Sequence, residues 1–210
     1  MKKAARLAAA AMALVLFTAC QGISKNPAAQ SAYQRIQTLL VNLQTYKSEA
    51  TVEYKSNKGS NTYETLQKCK ITGEYRVEVT GPDKVAGNIT LSDGKTIYQF
   101  NTKIQGKLAV ATKESQERSE IFLTSFVKNY LQSQDTSVAA AKVEGDPCTV
   151  LEATVPGSHP YLATEKLWVD NQTFKPIKLI IYDPQGSERI IVTYKTFDYN
   201  VQLEETEFKA

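Results

Sequence analysis

The chain has 210 residues, of which 42% are hydrophobic, with 25 basic and 22 acidic side chains and a formal net charge of +3. Three of the basic residues, Lys2, Lys3 and Arg6, stand at the start, so the chain from residue 20 onward carries 22 charges of each sign. No run of Lys and Arg longer than two follows residue 20. The composition therefore gives no electrostatic footprint for nucleic-acid binding.

The first segment has the layout of an export signal. The basic residues precede an apolar run from Leu7 to Ala19, which is shorter than the roughly 20 residues that a membrane-spanning helix needs and has the length of a secretory core. Thr18 and Ala19, directly before Cys20, resemble the bacterial lipobox, in which the cysteine is acylated and becomes the first residue of the mature protein. The alternative is ordinary cleavage nearby, which would leave Cys20 an incidental thiol.

This segment predicts the organisation of the whole chain. We expect a lipoprotein signal peptide over residues 1–19, a lipidated tether over 20–27 and a single domain over 28–210. Acyl chains on Cys20 would hold the domain at the extracytoplasmic face of a cell membrane.

A helix is predicted next. Asn26 and Pro27 are typical of a helix start. Apolar residues then recur at helical spacing, and these residues are Tyr33, Ile36, Leu39, Leu40, Leu43 and Tyr46. The pattern predicts an amphipathic helix that ends near Lys47.

Alternating apolar and polar residues follow, in "EATVEYKS", "TYETLQKCKI", "EYRVEVTG", "GNITLSDGKTIYQFN" and "GKLAVAT", which indicates an antiparallel meander. Asp93 and Gly94 suggest a type I′ hairpin turn, in which both central residues have positive φ. Between Ser115 and Ser133 the period becomes helical again and predicts a well-buried helix. Alternation resumes in "CTVLEATV", "TEKLWVDN", "FKPIKLIIYD" and "ERIIVTYKTFDYN". The order predicts an α+β fold, a large antiparallel sheet with helices packed on one face.

Two cysteines remain in the predicted domain, Cys69 and Cys148. An even pair in an exported chain suggests a disulfide, and the alternative is two buried thiols that never meet. Together with His159 they lack the spacing of a zinc site, so no metal is expected.

No catalytic signature is present. His159 is the single histidine and lies in the turn-like phrase "PGSHPY", and no serine stands in a G-x-S-x-G elbow. Neither a Walker nor a dinucleotide glycine pattern occurs. We therefore expect no enzymatic activity and no cofactor.

Several phrases together resemble the LolA/LolB/RseB superfamily: "LSDGKTIYQFN", followed after a helical insertion by "EKLWVDNQTFKPIKLIIYDPQGSERIIVTYKTFDYN". The resemblance implies an open antiparallel half-barrel with helices on its concave face. Within that group the chain is most similar to the germination lipoproteins, GerS and its relatives, which are lipid-anchored and work with an amidase that processes spore cortex peptidoglycan.

Two functions are therefore open. In the first, the domain is a membrane-anchored protein-binding module that supports a cortex amidase during sporulation. In the second, it is a lipid or lipoprotein carrier or receptor that holds acyl chains in an apolar cavity lined by Phe122, Phe126, Tyr130 and Trp168. The alternative for Trp168 is the sheet–helix core, where a single tryptophan on a strand is more often found.

Overall fold

The computed structural model describes residues 27–103, 107–111 and 119–209. Two helices lie in these ranges, α1 (Pro27–Val41) and α2 (Leu123–Gln132). A 3-10 helix (Glu205–Phe208) stands near the C-terminus. The strands are β1 (Thr45–Ser56), β2 (Gly59–Lys70), β3 (Tyr75–Gly81), β4 (Asn88–Ser92), β5 (Thr96–Asn101), β6 (Lys107–Ala111), β7 (Thr136–Val143), β8 (Asp146–His159), β9 (Leu162–Asp170), β10 (Pro176–Tyr182) and β11 (Glu188–Tyr199).

The described strands form one open antiparallel sheet. Its order is β6-β5-β4-β3-β2-β1-β11-β10-β9-β8-β7, so two consecutive meanders are joined where β1 pairs with β11. The predicted α+β fold with a large open antiparallel sheet is confirmed.

Both helices pack on the same face of this sheet, which we call the inner face. Ala32, Ile36 and Leu40 of α1 are buried at intervals of four, the spacing of one helical stripe. On α2 the buried residues are Leu123, Thr124, Phe126, Val127 and Tyr130. Residues 119 to 122, at the start of the predicted second helix, form turns, and residues 112–118 lie outside the described ranges.

The first helix is shorter than predicted. It ends at Val41, and Tyr46, expected on the helix, lies in β1 between Cys69 of β2 and Tyr199 of β11. The side chain of Asn200 accepts a hydrogen bond from the backbone N–H of Gln44 at 2.8 Å. The apolar spacing favours a longer helix, but residues from Thr45 onward pair with two strands instead. The strand conformation is more stable here because it buries Tyr46 completely.

One hairpin turn differs from its prediction, and one hairpin was not predicted. At the β4–β5 turn only Gly94 has positive φ, while Asp93 accepts hydrogen bonds from the backbone N–H groups of Lys95 and Thr96. The predicted type I′ turn is therefore wrong, because the Asp93 side chain stabilises an Asx-type turn. Positive φ at two successive residues occurs instead at Glu144 and Gly145. That pair joins β8 to β7, an Ala-rich and largely exposed edge strand that was not predicted from the sequence.

The opposite face, which we call the outer face, is covered by charged pairs and by the C-terminal segment. Lys166 and Glu152 lie 3.4 Å apart on it, and Lys195 pairs with Glu64. Phe208 is only 2% exposed, and the Lys70 ammonium lies 4.8 Å from its ring centroid. The C-terminal 3-10 helix thus lies on the outer face, next to β3.

Candidate binding site

The interior beneath the two helices is filled by side chains. Phe126 is fully buried and stacks on Tyr130 with ring centroids 5.7 Å apart. Tyr130 meets Tyr33 of α1 through their hydroxyl groups at 3.4 Å. Of the three aromatic residues predicted to line a cavity from this region, Phe126 and Tyr130 are core residues, and Phe122 reaches the cavity described below.

Trp168 lies on the outer face. In β9 the residues that point inward are Glu165, Leu167 and Val169, which are at most 1% exposed, and Trp168 alternates with them. Its ring lies 4.7 Å from the Lys178 ammonium, and Val150 is its neighbour on β8. The prediction that Trp168 lines an inner cavity is wrong, because the period of two along a strand places it on the other side of the sheet.

The two cysteines are free thiols, so the predicted disulfide is wrong. Both side chains are buried, but Cys69 points inward beside Tyr46 and Cys148 points outward beside Asp170. Their strands are five positions apart in the sheet, roughly 24 Å along it at the usual strand spacing. A disulfide needs Cα atoms within about 7 Å. Burial raises the pKa of the Cys69 thiol, which keeps it protonated.

A cavity of about 340 Å³ opens beside the N-terminal half of α2. It lies between α2, the β2–β3 turn and the β8–β9 hairpin. Its aromatic and aliphatic walls include Tyr75, Phe122, Val155 and Leu162. Its charged and polar lining includes Lys70, Glu74, Glu120, Lys128, Asn129, His159 and Glu165, together with three hydroxyl side chains, those of Ser119, Thr124 and Ser125. Lys128 and His159 are exposed, so the cavity reaches the surface.

Glu165 is the deepest charged residue of this cavity. It is 1% exposed, and its Oε1 accepts a hydrogen bond of 2.8 Å from Asn129 Nδ2 of α2. Burial raises the pKa of Glu165 to about 7, the Asn129 hydrogen bond opposes this shift, and the charge of Glu120 adds to it. A carboxyl group with such a pKa changes charge near neutral pH.

Two other ionisable residues of the lining, Lys70 and His159, have partners of their own. The Lys70 ammonium lies 2.5 Å from Glu205 and 3.8 Å from Glu74. His159 Nδ1 accepts a hydrogen bond of 3.2 Å from the Tyr161 backbone N–H.

Glu165 was not predicted from the sequence. The signal was present in "TEKLWVD", where Glu165, Leu167 and Val169 share one parity of the strand. A carboxylate at an inward position of a half-buried strand is a candidate for a perturbed group. Because the phrase also contains Lys166 and Asp170, Glu165 resembles an ordinary solvent-exposed residue in the sequence.

Within the described ranges no group of three or more His, Cys, Asp or Glu side chains is arranged to hold a metal ion. No helix in the described part of the chain is both long and apolar enough to cross a membrane. Cys20, the predicted lipidation site, lies outside the described residues, as do the predicted signal peptide and all of the tether but Pro27. These remain predictions.

The chain belongs to a family of sporulation proteins. The family model described as "Sporulation protein YdcC-like" matches residues 3–208. No curated protein sequence gives a significant match.

Solved structures share the fold. The structure of the CwlD amidase from Clostridioides difficile in complex with the GerS lipoprotein matches with a TM-score of 0.51 and 29% identity, covering 81% of this chain and 95% of that one. An uncharacterized conserved protein from Thermus thermophilus matches with a TM-score of 0.52 and 14% identity, covering 87% and 93%. The LolA superfamily protein NE2245 from Nitrosomonas europaea has a TM-score of 0.46 and 14% identity, covering 87% and 97%. The predicted resemblance to the germination lipoproteins is confirmed by the match to the structure that contains GerS.

Proposed function

We propose that this protein is a membrane-anchored, non-enzymatic accessory protein that binds and supports a cell-wall amidase acting on spore cortex peptidoglycan. The observation that carries the proposal is its 29% identity, over 81% of the chain, to the match in a structure of an amidase with the GerS lipoprotein. Membership of a sporulation protein family supports the same setting. The anchor is the lipid predicted on Cys20.

The packing of the inner face is consistent with a protein-binding module. A carrier of acyl chains needs an apolar cavity, and pockets for such ligands hold several hundred Å³ lined mostly by hydrophobic residues. Here Phe126 and Tyr130 fill the space beneath the helices. The cavity of about 340 Å³ has Glu165 at its inner end and Lys128 in its lining, and burying such groups against hydrocarbon is unfavourable.

Binding can be tested with purified proteins. The chain from residue 21 onward, which lacks the leader and the predicted acylated cysteine, is mixed with the cell-wall amidase of the same organism and analysed by light scattering after size exclusion. We expect a stable complex, and amidase activity on cortex peptidoglycan that rises when this protein is added. Absence of any complex at micromolar concentrations of both proteins would contradict the proposal.

Anchoring needs a separate experiment, since it could fail while amidase binding holds. In sporulating cells we expect the full chain in the membrane fraction and the Cys20→Ala variant outside it. Mass spectrometry of the mature protein should find a diacylglyceryl group on Cys20. An unmodified mature N-terminus would contradict the anchor and leave the amidase interaction standing.

A further inference from the structure

The cavity beside α2 combines a buried carboxylate with aromatic and aliphatic walls. Glu165 stands at its inner end, with only 1% of its surface exposed. Asn129 bonds Oε1 of its carboxylate, and within the described residues Oε2 has no hydrogen-bond partner. Tyr75 and Phe122, whose ring centroids are 4.7 Å apart, lie on one side of the cavity, and the Leu162 side chain also lines it.

The charges of the lining do not balance. The Lys70 ammonium is held by Glu205 and Glu74, as described above, and His159 accepts a hydrogen bond from the Tyr161 backbone. This leaves Glu120 and Glu165 against the exposed Lys128. Among the residues that the structure describes, neither of these two carboxylates has a basic nitrogen within 4.0 Å. The site therefore has an excess of negative charge and free acceptor capacity at its inner end.

We propose that this cavity receives one ammonium or guanidinium group, carried by a lysine or arginine side chain of the protein partner. The source of the cation rests on the proposed function, whereas the chemistry of the cavity does not. The cation would pair with Glu165 and the nearby Glu120. The methylene stem of the ligand would pack against Leu162 and Val155, as long basic side chains do on apolar surfaces.

The aromatic walls add to the selectivity for a cation. A cation over the face of a tyrosine or phenylalanine ring is attracted by the ring quadrupole, and Tyr75 and Phe122 both line the cavity. A neutral aliphatic chain of the same length would contact the walls, but it would offer no positive charge and no hydrogen bond to Oε2 of Glu165. A lysine-like ligand should therefore bind better than its neutral analogue.

Binding should depend on pH in a defined direction. A cation binds the ionised form of Glu165, whose pKa is about 7. At a pH below this value the carboxyl group must lose its proton before the cation can pair with it, and this weakens binding. The titratable groups that interact with this carboxyl group are Glu120 before α2 and Tyr194 on β11. The cavity lining adds Lys128 on α2, Glu74 at the β2–β3 turn and His159 on β8. We expect affinity to fall as pH decreases from about 8 to about 5.5.

Three probes are titrated into the protein from residue 21 onward: Nα-acetyl-lysine methylamide, Nα-acetyl-arginine methylamide and Nα-acetyl-norleucine methylamide. NMR chemical shifts of the protein report binding. Saturable shifts at the cavity are expected for the two cations and not for norleucine. Glu165→Gln keeps the shape and an acceptor for Asn129, and should weaken cation binding by about 10- to 100-fold, the range for a charged hydrogen bond. Glu152→Gln, on the outer face, should leave binding unchanged.

Two results would overturn the proposal. One is equal binding of the cations by wild type and Glu165→Gln, and the other is no difference between the cations and norleucine. Binding of the amidase gives a second arm. If the amidase binds wild type and Glu165→Gln equally well, the partner does not supply the cation and the inference about its source fails, although the proposed function stands. If the amidase binds neither protein, the proposed function fails, and the probe titration still decides the chemistry of the cavity.

Discussion

The inner and outer faces of the same sheet are built on different physical principles. The inner face packs Phe126, Tyr130 and Leu167 beneath two helices, with side chains at most 8% exposed. The outer face carries half-buried pairs such as Lys166 with Glu152, and ion pairs at the surface contribute about 0 to 1 kcal/mol each. Stability should therefore be concentrated on the inner face, and the outer face should tolerate change except at its buried residue Phe208.

The contrast also bears on function. An inner face filled by side chains leaves room for a single side chain of a ligand beside Glu165 rather than for several acyl chains. Among the described residues, the exposed edge strand β7 and the outer face offer surface for larger contacts. The following variants, from the largest expected effect to the smallest, can break or sharpen this comparison.

The inner core is tested by Phe126→Ala. Phe126 is fully buried on α2, and removing a buried phenylalanine ring costs about 3 to 5 kcal/mol because a cavity remains. Urea unfolding followed by circular dichroism measures the loss. Leu131→Ala on the same helix, where the side chain is 52% exposed, should change the free energy of unfolding by less than about 0.5 kcal/mol. Equal losses for the two variants would contradict the assignment of the faces.

The buried carboxyl group is tested by Glu165→Gln across pH. The unfolded side chain titrates near about 4.3 and the folded one at about 7, so between these values the folded state holds the extra proton. The wild type therefore loses stability as pH rises through this window, and the glutamine variant does not. The free energy of unfolding of Glu165→Gln, relative to that of the wild type, should therefore be higher at pH 8 than at pH 5 by about 2 to 3 kcal/mol. A difference between the two proteins that is independent of pH would refute this reading.

The C-terminal segment is tested by Phe208→Ala. Phe208 is 2% exposed on the outer face, and complete burial of such a side chain contributes about 1.5 to 3 kcal/mol. We expect a loss near the middle of that range, together with faster hydrogen exchange in the adjoining β3. Lys209→Ala, at an exposed neighbouring position, is the matched control. Unchanged stability in Phe208→Ala would mean that the segment is not held by this ring.

The smallest effect is expected at Trp168. Its contact with Lys178 at 4.7 Å is a cation–π interaction worth about 0.5 to 1 kcal/mol at an exposed site, so Lys178→Gln should destabilise the protein only slightly. Trp168 is the one tryptophan, so fluorescence reports on it alone, and acrylamide should quench it in the folded protein. Complete protection from quenching would place the ring in the interior and contradict the outer-face assignment.

Much of the fold could be predicted from sequence because each half is a meander of neighbouring strands. Local alternation in "TEKLWVDN" or "FKPIKLIIYD" suffices to identify strands, and hairpin turns set their order. The edge strand β7 was not predicted because its residues, "TSVAAAKV", are mostly small and exposed and show no alternation of apolar and polar residues. The end of α1 was predicted too late in the sequence because the pairing of Tyr46 with other strands is a tertiary effect, which helical spacing does not show.

The candidate site was less predictable than the fold. Glu165 becomes important only because Asn129 of α2 and Glu120 approach it from more than 30 positions away in the sequence. Whether Cys69, Cys148 and Trp168 can form a disulfide or line a cavity depends on which face of the sheet each one occupies. The strand register determines that face. Alternation along each strand can be read from the residues, but which of its two sides the helices would cover cannot.

The central claim is that this protein binds a protein partner and does not carry lipid. Native mass spectrometry of the full-length protein, gently extracted from sporulating cells, measures both kinds of companion at once. We predict a stoichiometric complex with a cell-wall amidase and no acyl lipid beyond the one covalently attached. A stoichiometric, noncovalently held lipid in the absence of the amidase would contradict the claim.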